Sequence, residues 1–395
     1  MTSLSDTPAE IWQHILIYAI HVPVFLDPDG VARNPISSMS SYHVYNEKSI
    51  WNDEKPYWAA EKTRNACRRV CRLWDRHLQQ SVGHRFVRVI DIVDGLIPPA
   101  SLYSAVRISL SPYGQRMAGP TTTPVPPEEE WYNSAEKFLS LIPNIYSAKM
   151  QIISALYMTI ETDHLAKIAS HFPNLVTLIN MELNSGLGDV FTHLPHLRHL
   201  YTEWYNRVSN SMNMNNPHLE TLSFRPVNFN KEDFTPDRWS LPSLRTLRIL
   251  GGDARPAKQA WQTMTLPLLV VLGLELRALY IAPNYLPSSF EQVLDACPNL
   301  EYLTVHKVGD KGMPPPAGPQ LHTIMVPFFS PWMARPTKPD PLWPEWPEIR
   351  TIVFDTPWKE ARWEKELRRW YERWKGGSIS IEDSLGVKLS DWLGK

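Results

Sequence analysis

The chain has 395 residues, of which 43% are hydrophobic, and its 40 basic and 41 acidic side chains give a formal net charge of −1. This balance argues against a protein that binds nucleic acid through a basic face, because such binding depends on releasing counterions from phosphate. It also argues against a polybasic membrane anchor. The length favours two or three domains with a sizeable core.

The three cysteines are too few for a disulfide framework, which favours a reducing location in the cytoplasm, the nucleus or both over secretion. The apolar run at residues 11–20 is too short, and with Gln13 and His14 too polar, to span a bilayer or to act as a signal peptide. Phosphate-binding loops and hydrolase or metalloprotease signatures are absent from the sequence. We therefore expect no catalytic residue, no cofactor and no membrane partner.

The first predicted element is a helix near the N-terminus. Ser5 or Asp6 can cap it, and Pro8 and Glu10 suit its first turn. Its apolar stripe contains Ile11, Trp12, Ile15 and Leu16. An insertion at residues 21–58, rich in Pro, Ser, Asn and Asp, separates this helix from the next predicted element.

A second helix is predicted over Lys62–Gln80. Its apolar residues are Ala66, Val70, Cys71, Leu73, Trp74 and Leu78. Its other side is basic, with Arg64, Arg68, Arg69, Arg72 and Arg76. We interpret this basic side as a solvated helix face rather than a nucleic-acid site, since no aromatic stacking platform accompanies it.

The two helices together resemble the F-box. The family pattern opens Leu-Pro-x-Glu-Ile-x-x-x-Ile-Leu, which residues 4–16 match with Thr7 in the place of the usual leucine before the proline. The pattern closes Val-Cys-(Arg/Lys)-x-Trp, which Val70-Cys71-Arg72-Leu73-Trp74 matches. The insertion splits the two halves, as in similar F-box proteins that are abundant in mushroom-forming fungi.

The resemblance implies that the N-terminal region binds a Skp-type adaptor, which docks on a cullin scaffold carrying a ubiquitin-charged enzyme. The adaptor-binding candidates are Pro8, Ile11, Ile15, Leu16, Val70, Cys71 and Trp74. Each matches a family position that serves either the core of the F-box or its adaptor contacts, and the sequence leaves the division between these two roles open.

The rest of the chain contains a repeat. Eight copies of Pro-x-Leu-x-x-Leu begin at Pro173, Pro195, Pro217, Pro242, Pro267, Pro298, Pro319 and Pro347. With the proline numbered 0, positions 2 and 5 are Leu or Ile in every copy, and position 7 is apolar in six. A weaker copy starts at Pro143. Successive prolines lie 21–31 residues apart, so we expect stacked units that share one core.

Each unit is predicted to contain one short strand. Positions 5 and 7 alternate and point to the core, and the proline sets the turn into the strand. Helices are expected between some strands, one from Thr162 to Phe172 and one from Ser288 to Cys297. This pattern resembles the longer, irregular leucine-rich repeats, although a regular Asn or Cys ladder is missing.

Positions 4, 6 and 8 of each strand should face away from the core, on the concave side of such a solenoid. We predict that a protein target binds there. The candidate target-binding residues are Tyr201, Glu203, Arg225, Arg248, Glu275, Tyr302 and His306. Tyr and Arg are favoured among them because these residue types contribute most to interface energies.

The C-terminal end predicts a helix from Thr356 to about Lys375. Its apolar seam consists of Trp363, Leu367, Trp370 and Trp374. Since an end repeat must cover its core, we interpret this helix as a cap rather than a partner-binding helix. Residues 378–395 follow, and Leu389, Trp392 and Leu393 can pack beneath the cap.

Three histidines and two cysteines could suggest a metal site. His193, His196 and His199 are interrupted by Pro195, so they need not converge, and we expect no zinc there. Cys67 and Cys71 lie one helical turn apart without further ligands nearby in sequence, which is typical of structural thiols.

The predicted fold class is an α+β or α/β repeat, with a small helical F-box, an irregular leucine-rich-repeat solenoid and a C-terminal capping helix. The predicted domains are residues 1–82 with the insertion 21–58, a connecting region with the first part of the solenoid at 83–142, the solenoid at 143–356, and the cap and tail at 357–395. The expected function is substrate recognition for a cullin-type (SCF) ubiquitin ligase. The alternatives are a repeat scaffold that acts without a ligase and, less favoured, an enzyme carried on the solenoid.

Overall fold

A computed structural model gives the fold of the protein. It describes residues 8–20, 55–81, 86–110, 140, 147–160, 162–183, 187–204, 214–226, 236–250, 261–282, 291–304, 320–326, 349–354, 358, 368, 371–372, 379–383 and 386–394. The chain divides into two compact units. Of the described residues, the first includes 8–20, 55–110, 147–158 and 163–179, and the second includes 159–162 and the part from residue 180 onward.

In the described part of the chain before the first strand there are three helices, and we call them the helical module. They are α1 (Ala9–Ile20), α2 (Lys55–Arg68) and α3 (Arg72–Ser81). The predicted helix Lys62–Gln80 is therefore wrong as a single element, because the chain turns at residues 69–71. No Gly or Pro marks this turn in the sequence, but Asp75 lies in the first turn of α3 and its carboxylate pairs with Arg68 of α2 at 2.7 Å. The insertion predicted to end at residue 58 ends before Lys55.

The strands form one parallel sheet of twelve and a separate pair. The large sheet has the order β1-β2-β3-β4-β5-β7-β9-β10-β11-β12-β13-β14. Its strands are β1 (Phe86–Arg88), β2 (Arg107–Ser109), β3 (Ile152–Ile160), β4 (Thr177–Leu183), β5 (His199–Trp204), β7 (Thr221–Pro226), β9 (Thr246–Ile249), β10 (Ala278–Ile281), β11 (Tyr302–Thr304), β12 (Thr323–Val326), β13 (Thr351–Phe354) and β14 (Ser380–Glu382). The separate pair is β6 (Met214–Asn215) with β8 (Trp239–Ser240). A large parallel sheet whose strands follow one another in sequence order is the architecture of an α/β repeat of the leucine-rich type.

Helices connect several of the strands, and one follows the last strand. The connecting helices are α4 (Val89–Val93), α5 (Thr162–His171), α6 (Leu187–His193), α7 (Leu266–Leu272) and α8 (Glu291–Ala296), and α9 (Leu389–Leu393) follows β14. The helix predicted from Thr162 is confirmed as α5, and the one predicted from Ser288 is confirmed over the six residues of α8. Among the described residues, no helix combines the length and the apolarity needed to cross a membrane.

The repeat pattern is explained by a β-turn that precedes the strand in several of the described repeats. The backbone N–H at position 2 donates to the carbonyl before the proline, as Leu197 does to Leu194 at 3.1 Å and Leu244 does to Leu241 at 3.0 Å. Proline thus occupies the second residue of the turn, where its fixed φ is favoured. The side chains at positions 2 and 5 are buried in every repeat that the structure describes in this register, so these residues belong to the core.

The copy predicted at Pro267 is wrong. Residues 266–272 form α7, and Leu269 and Leu272 are buried as part of a helix face, not a strand. The strand of this unit is β10, in register with β9 and β11. In this repeat Leu274 takes position 0, where the other copies have proline, and Leu276 takes position 2. The weaker copy at Pro143 lies outside the described residues, and the register of β3 sets that unit's frame from Ala148.

The sheet also includes strands outside the predicted copies of the repeat. β1 and β2 lie within residues 83–142, where a connecting region and the first part of the solenoid were predicted, and β14 lies in the predicted tail, where its Ile381 is in register with Ile352 of β13. The apolar seam predicted for the C-terminal helix (Trp363, Leu367, Trp370 and Trp374) lies outside the described residues. At this end Trp358 is buried, with its ring 5.4 Å from Phe354 and 6.2 Å from Trp392.

The side chain of Asp383 closes the C-terminal end of the sheet. One of its carboxylate oxygens accepts the backbone N–H of Trp358 at 3.0 Å and the other accepts that of Val387 at 2.8 Å. The indole N–H of Trp358 donates to the carbonyl of Val387 at 2.6 Å. Gly386 adopts φ +76°, a left-handed conformation that favours glycine, and so allows the chain to reverse here.

Candidate functional site

The core of the helical module comes from one stripe of α1. Leu16 and Ile20 lie four residues apart on this helix and form a buried cluster with Leu78 of α3. Cys67 of α2 and Trp74 of α3 pack against the cluster. One helical turn before Leu16, the ring of Trp12 contacts that of Trp74 at 5.2 Å. The contacts of this stripe therefore tie all three helices together.

A second stripe of α1 is apolar but exposed. Ile11, Ile15 and Tyr18 follow one another at helical spacing and expose 49%, 47% and 87% of their surface. In the turn before α3 and in its first residues, Val70 and Leu73 expose 62% and 58%. Ile11 adjoins Trp12 in sequence, and Leu73 adjoins Trp74, so each exposed set includes a neighbour in sequence of one tryptophan of the contact. We call these five residues the apolar surface.

The structure divides the predicted adaptor-binding residues into two groups. Leu16 and Trp74 belong to the core of the module. Pro8, Ile11, Ile15, Val70 and Cys71 are exposed. The sequence reasoning missed Tyr18 as an exposed residue, although its spacing of three from Ile15 placed it on the same helix face. It named Leu73 only as an apolar residue of a helix.

The basic side of the second predicted helix is not uniformly solvated. Arg64 is 4% exposed and pairs with Glu61, and Arg68 pairs with Asp75. Arg69, Arg72 and Arg76 remain exposed. Arg69 and Arg72 thus adjoin Val70 and Leu73 of the apolar surface in sequence.

The strand positions predicted to face an open concave surface are mostly buried in the second unit. At position 6, Tyr201, Ser223, Arg248, Tyr280 and Thr304 occupy equivalent positions of β5, β7, β9, β10 and β11. Tyr201 is 2% exposed and Arg248 is 0% exposed. The guanidinium of Arg248 lies 5.3 Å from the centre of the Tyr280 ring, which is a cation–π contact. The expectation that Tyr201 and Arg248 stand on an open surface is wrong.

Glu275 is not a strand residue. It lies in a 3₁₀ turn at Gly273–Glu275, and its carboxylate accepts a hydrogen bond from Arg245 at 2.8 Å. The prediction followed from the misplaced copy at Pro267, which put a strand where the chain is helical. Glu275 is therefore exposed at the edge of the sheet, where it pairs with the residue that precedes β9.

Tyr302 lies in β11 and is partly exposed. Its ring meets that of His322 edge-on at 5.3 Å. Burial, with a smaller contribution from Glu301, raises the pKa of the Tyr302 hydroxyl. Glu203 and Arg225 occupy paired positions of β5 and β7, but the structure does not describe their side chains. His306 lies outside the described residues.

A row of ion pairs precedes the strands of the second unit. Arg198 pairs with Glu220 at 2.8 Å, Arg245 with Glu275 at 2.8 Å and Arg277 with Glu301 at 2.6 Å. These side chains are partly or largely exposed, so each pair contributes little to stability, about 0–1 kcal/mol. Together with Tyr302 and His322 they form the accessible polar edge of the second unit's sheet, with both charge signs.

The histidines and cysteines take separate positions. His193 ends α6, the ring of His196 lies 6.3 Å from that of His218, and His199 is buried with a ring nitrogen 3.2 Å from the Thr221 hydroxyl. Within the described residues, no three His, Cys, Asp or Glu side chains form a group suited to a metal ion. Cys71 is exposed and Cys297 is buried, and burial raises the pKa of the Cys297 thiol to about 12.

Comparison with known proteins assigns no family to the chain. No protein-family model matches it, and no curated protein matches it. Among solved structures, TLR13 in its complex with ssRNA13 is similar at a TM-score of 0.28, with 11% identity over 66% of this chain, which spans 41% of that chain. A protein from Bacteroides fragilis is similar at a TM-score of 0.27, with 10% identity over 71% of this chain and 80% of that chain.

Proposed function

We propose that the chain is the substrate-recognition subunit of a cullin-type (SCF) ubiquitin ligase. In this proposal the helical module binds a Skp-type adaptor and the repeat sheet binds a protein target. The chain performs no covalent chemistry, since ubiquitin transfer belongs to the enzyme docked on the cullin. The observation that carries the proposal is the exposed apolar surface of the helical module, located where the F-box resemblance expects adaptor contacts.

The two stripes of α1 support this proposal. A surface helix of a small module ordinarily buries one stripe and exposes polar residues on the other side. Here Leu16 and Ile20 already supply the buried stripe, yet Ile11, Ile15 and Tyr18 form a second one. An exposed apolar cluster with a polar rim is typical of a protein-binding site.

The energetics require most of the surface to act together. Burying a large apolar side chain contributes roughly 1.5–3 kcal/mol, and Ile11 and Ile15 are already about half-buried, so each adds about half of that range. Association costs an estimated 4–15 kcal/mol. Two lost side chains therefore remove a large part of the net binding energy, particularly if each is replaced by a charge.

The accessible polar edge of the second unit supports the target-binding role. Its alternating charges, with Tyr302 and His322 beside them, suit a protein or peptide better than a polyanion. Buried residues such as Tyr201 and Arg248 contribute to the sheet itself, so Tyr302, Glu301 and Arg277 become the preferred contact residues.

Co-expression with the adaptor from the same source, followed by size-exclusion chromatography, tests the proposal. The wild-type chain should form a stable one-to-one complex, and Ile11→Asp/Ile15→Asp should abolish it while the chain stays folded. Leu16 is unsuitable for this test because it belongs to the core. Val270→Asp/Leu274→Asp is the matched control, since it places two charges on another exposed apolar patch and should leave the complex intact.

The alternative function is a repeat scaffold that acts without a ligase. The charge balance and mixed polar edge fit both functions equally, so the adaptor experiment separates them. A folded wild-type chain that elutes alone beside its adaptor would favour the scaffold.

A further inference from the structure

A cluster of aromatic and charged residues connects the helical module to the first strand. Tyr57 and Trp58 lie in the first turns of α2, and their rings contact each other at 5.1 Å. Phe86, the first residue of β1, meets the ring of Tyr57 at 5.3 Å and that of Trp58 at 6.2 Å. Tyr57 and Phe86 are buried together. Edge-on aromatic contacts of this kind are directional, and so restrict how one element can rotate on the other.

Arg88 adds a second connection to the same place. Its guanidinium lies 5.4 Å from the centre of the Trp58 ring. The same guanidinium makes two hydrogen bonds to the Asp91 carboxylate, at 2.8 Å from Nε and 2.7 Å from Nη2. A paired guanidinium is held in one plane, so α4, which carries Asp91, fixes the group on which Trp58 rests. We call Tyr57, Trp58, Phe86, Arg88 and Asp91 the helix–strand joint.

The joint attaches the module at a second point. The covalent connection runs from the end of α3 at Ser81 to the start of β1 at Phe86, whereas the joint involves the beginning of α2. A single covalent connection leaves two bodies free to turn. Two attachments at different places on the module prevent that rotation.

We propose that Trp58 and Arg88 are positioning residues that hold the apolar surface in a fixed orientation on the first strands of the sheet. This inference rests on the proposed function, because a fixed orientation matters to a ligase that must present its adaptor side and its repeats together. Neither residue belongs to the apolar surface, and neither was singled out by the F-box pattern, which places Tyr57 and Trp58 in the insertion.

The distance between two spin labels in the first unit tests the joint directly. Cys71 is exposed in the module and takes one label, and Ser170→Cys, exposed in α5, takes the other. Cys67→Ala removes the half-buried thiol, and the buried Cys297 stays unlabelled. The wild-type joint should give one narrow distance distribution by double electron–electron resonance.

Trp58→Ala and Arg88→Ala should each widen this distribution by roughly twofold or more, as expected when a fixed contact becomes a free connection. Trp58→Phe retains a ring and should keep it narrow. Arg198→Ala removes a partly exposed ion pair of the second unit and serves as the control. Circular dichroism confirms that each variant is folded, and Arg88→Ala, at a half-buried position, provides the measurement if Trp58→Ala does not fold.

Narrow distributions with an unchanged mean in both alanine variants would overturn the proposal. Unlabelled Trp58→Ala should still bind the adaptor, since the apolar surface is intact. If neither this variant nor the wild-type chain binds the adaptor, the proposed function fails, while the distance measurement still decides whether the joint is rigid.

Discussion

The side-chain amide of Asn299 donates a hydrogen bond to the backbone carbonyl of Leu274, one repeat earlier, at 2.8 Å. The same bond recurs from Ser243 to Pro217 at 2.6 Å and from Asn174 to Ala148 at 2.9 Å. In each case the donor is at position 1 of its unit and the acceptor is at position 0 of the unit before. The sequence lacks a regular Asn or Cys ladder after the strand, and these hydrogen bonds form part of such a ladder before the strand.

Replacing Asn299 with alanine should lower the free energy of unfolding by about 1 kcal/mol, because a hydrogen bond between neighbouring units is lost. Chemical denaturation followed by circular dichroism measures this change. Asn215→Ala, at an exposed position of β6, is the matched control and should alter stability by less than about 0.5 kcal/mol. Equal denaturation midpoints for the two variants would mean that the bond contributes nothing to the stacking of repeats.

Gly273 should not tolerate a side chain. A Cβ on this residue would lie 2.2 Å from the carbonyl oxygen of Ala296 and 2.7 Å from the sulfur of Cys297. We expect Gly273→Ala to destabilise the protein by roughly 1–3 kcal/mol, since α8 must move away. Gly394→Ala, whose Cβ would meet its nearest atom at 3.3 Å, is the control in the same thermal unfolding experiment. If Gly273→Ala unfolds at the wild-type temperature, the close approach of these two segments is not present in solution.

The sequence predicted most of the repeat because each copy of the leucine pattern corresponds to a turn, a strand and a set of buried leucines. It failed at Pro267 because Leu269 and Leu272 satisfy that pattern while lying on a helix, where proline is also accepted in the first turn. The true unit at Leu274 has no proline, and β1, β2 and β14 lack the full pattern as well. Only the pairing of strands reveals them.

The two interaction surfaces differed in how far the sequence could predict them. Helical spacing correctly brought Ile11 and Ile15 to one face, and the structure then separated them from Leu16. The alternation of side chains along a strand predicted which side of the sheet residues such as Arg248 face. It carries no information on which other residues cover that side. Burial of Tyr201 and Arg248 depends on packing between distant parts of the chain.

Loss of the Asp383 carboxylate should open the C-terminal end of the sheet. Asp383→Ala leaves the backbone N–H groups of Trp358 and Val387 without their acceptor, and hydrogen bonds to a charged group are worth about 1.5–3 kcal/mol. Hydrogen exchange should accelerate at the amides of both Trp358 and Val387. Asp237→Ala, an exposed carboxylate in a 3₁₀ turn, should change neither exchange rate. Unaltered protection at Val387 in the Asp383 variant would show that the loop closes without this side chain.

The cysteines should differ sharply in reactivity. Cys71 is exposed, whereas Cys297 is buried and its pKa is raised to about 12 by burial. Because the thiolate is the reactive form, Cys297 has very little of it at pH 8 in the native state, and unfolding returns its pKa to the ordinary range. A chromogenic disulfide reagent should therefore label Cys71 quickly and Cys297 only after denaturant is added. Cys71→Ser should remove the fast phase, and a fast phase that survives this substitution would contradict the assignment.

Leu16 and Ile15 are neighbours in α1 with opposite roles, and alanine substitution should separate those roles. Leu16→Ala leaves a cavity beside Ile20 and Leu78 and should cost about 2–5 kcal/mol of unfolding free energy. Ile15 is 47% exposed, so Ile15→Ala should cost far less, within about 1 kcal/mol. Denaturation curves measure both values. Binding should show the reverse order at a temperature where both variants are folded: Ile15→Ala weakens the adaptor complex, and Leu16→Ala leaves its affinity near that of the wild type. Equal losses of stability would place both residues in the core and remove Ile15 from the apolar surface.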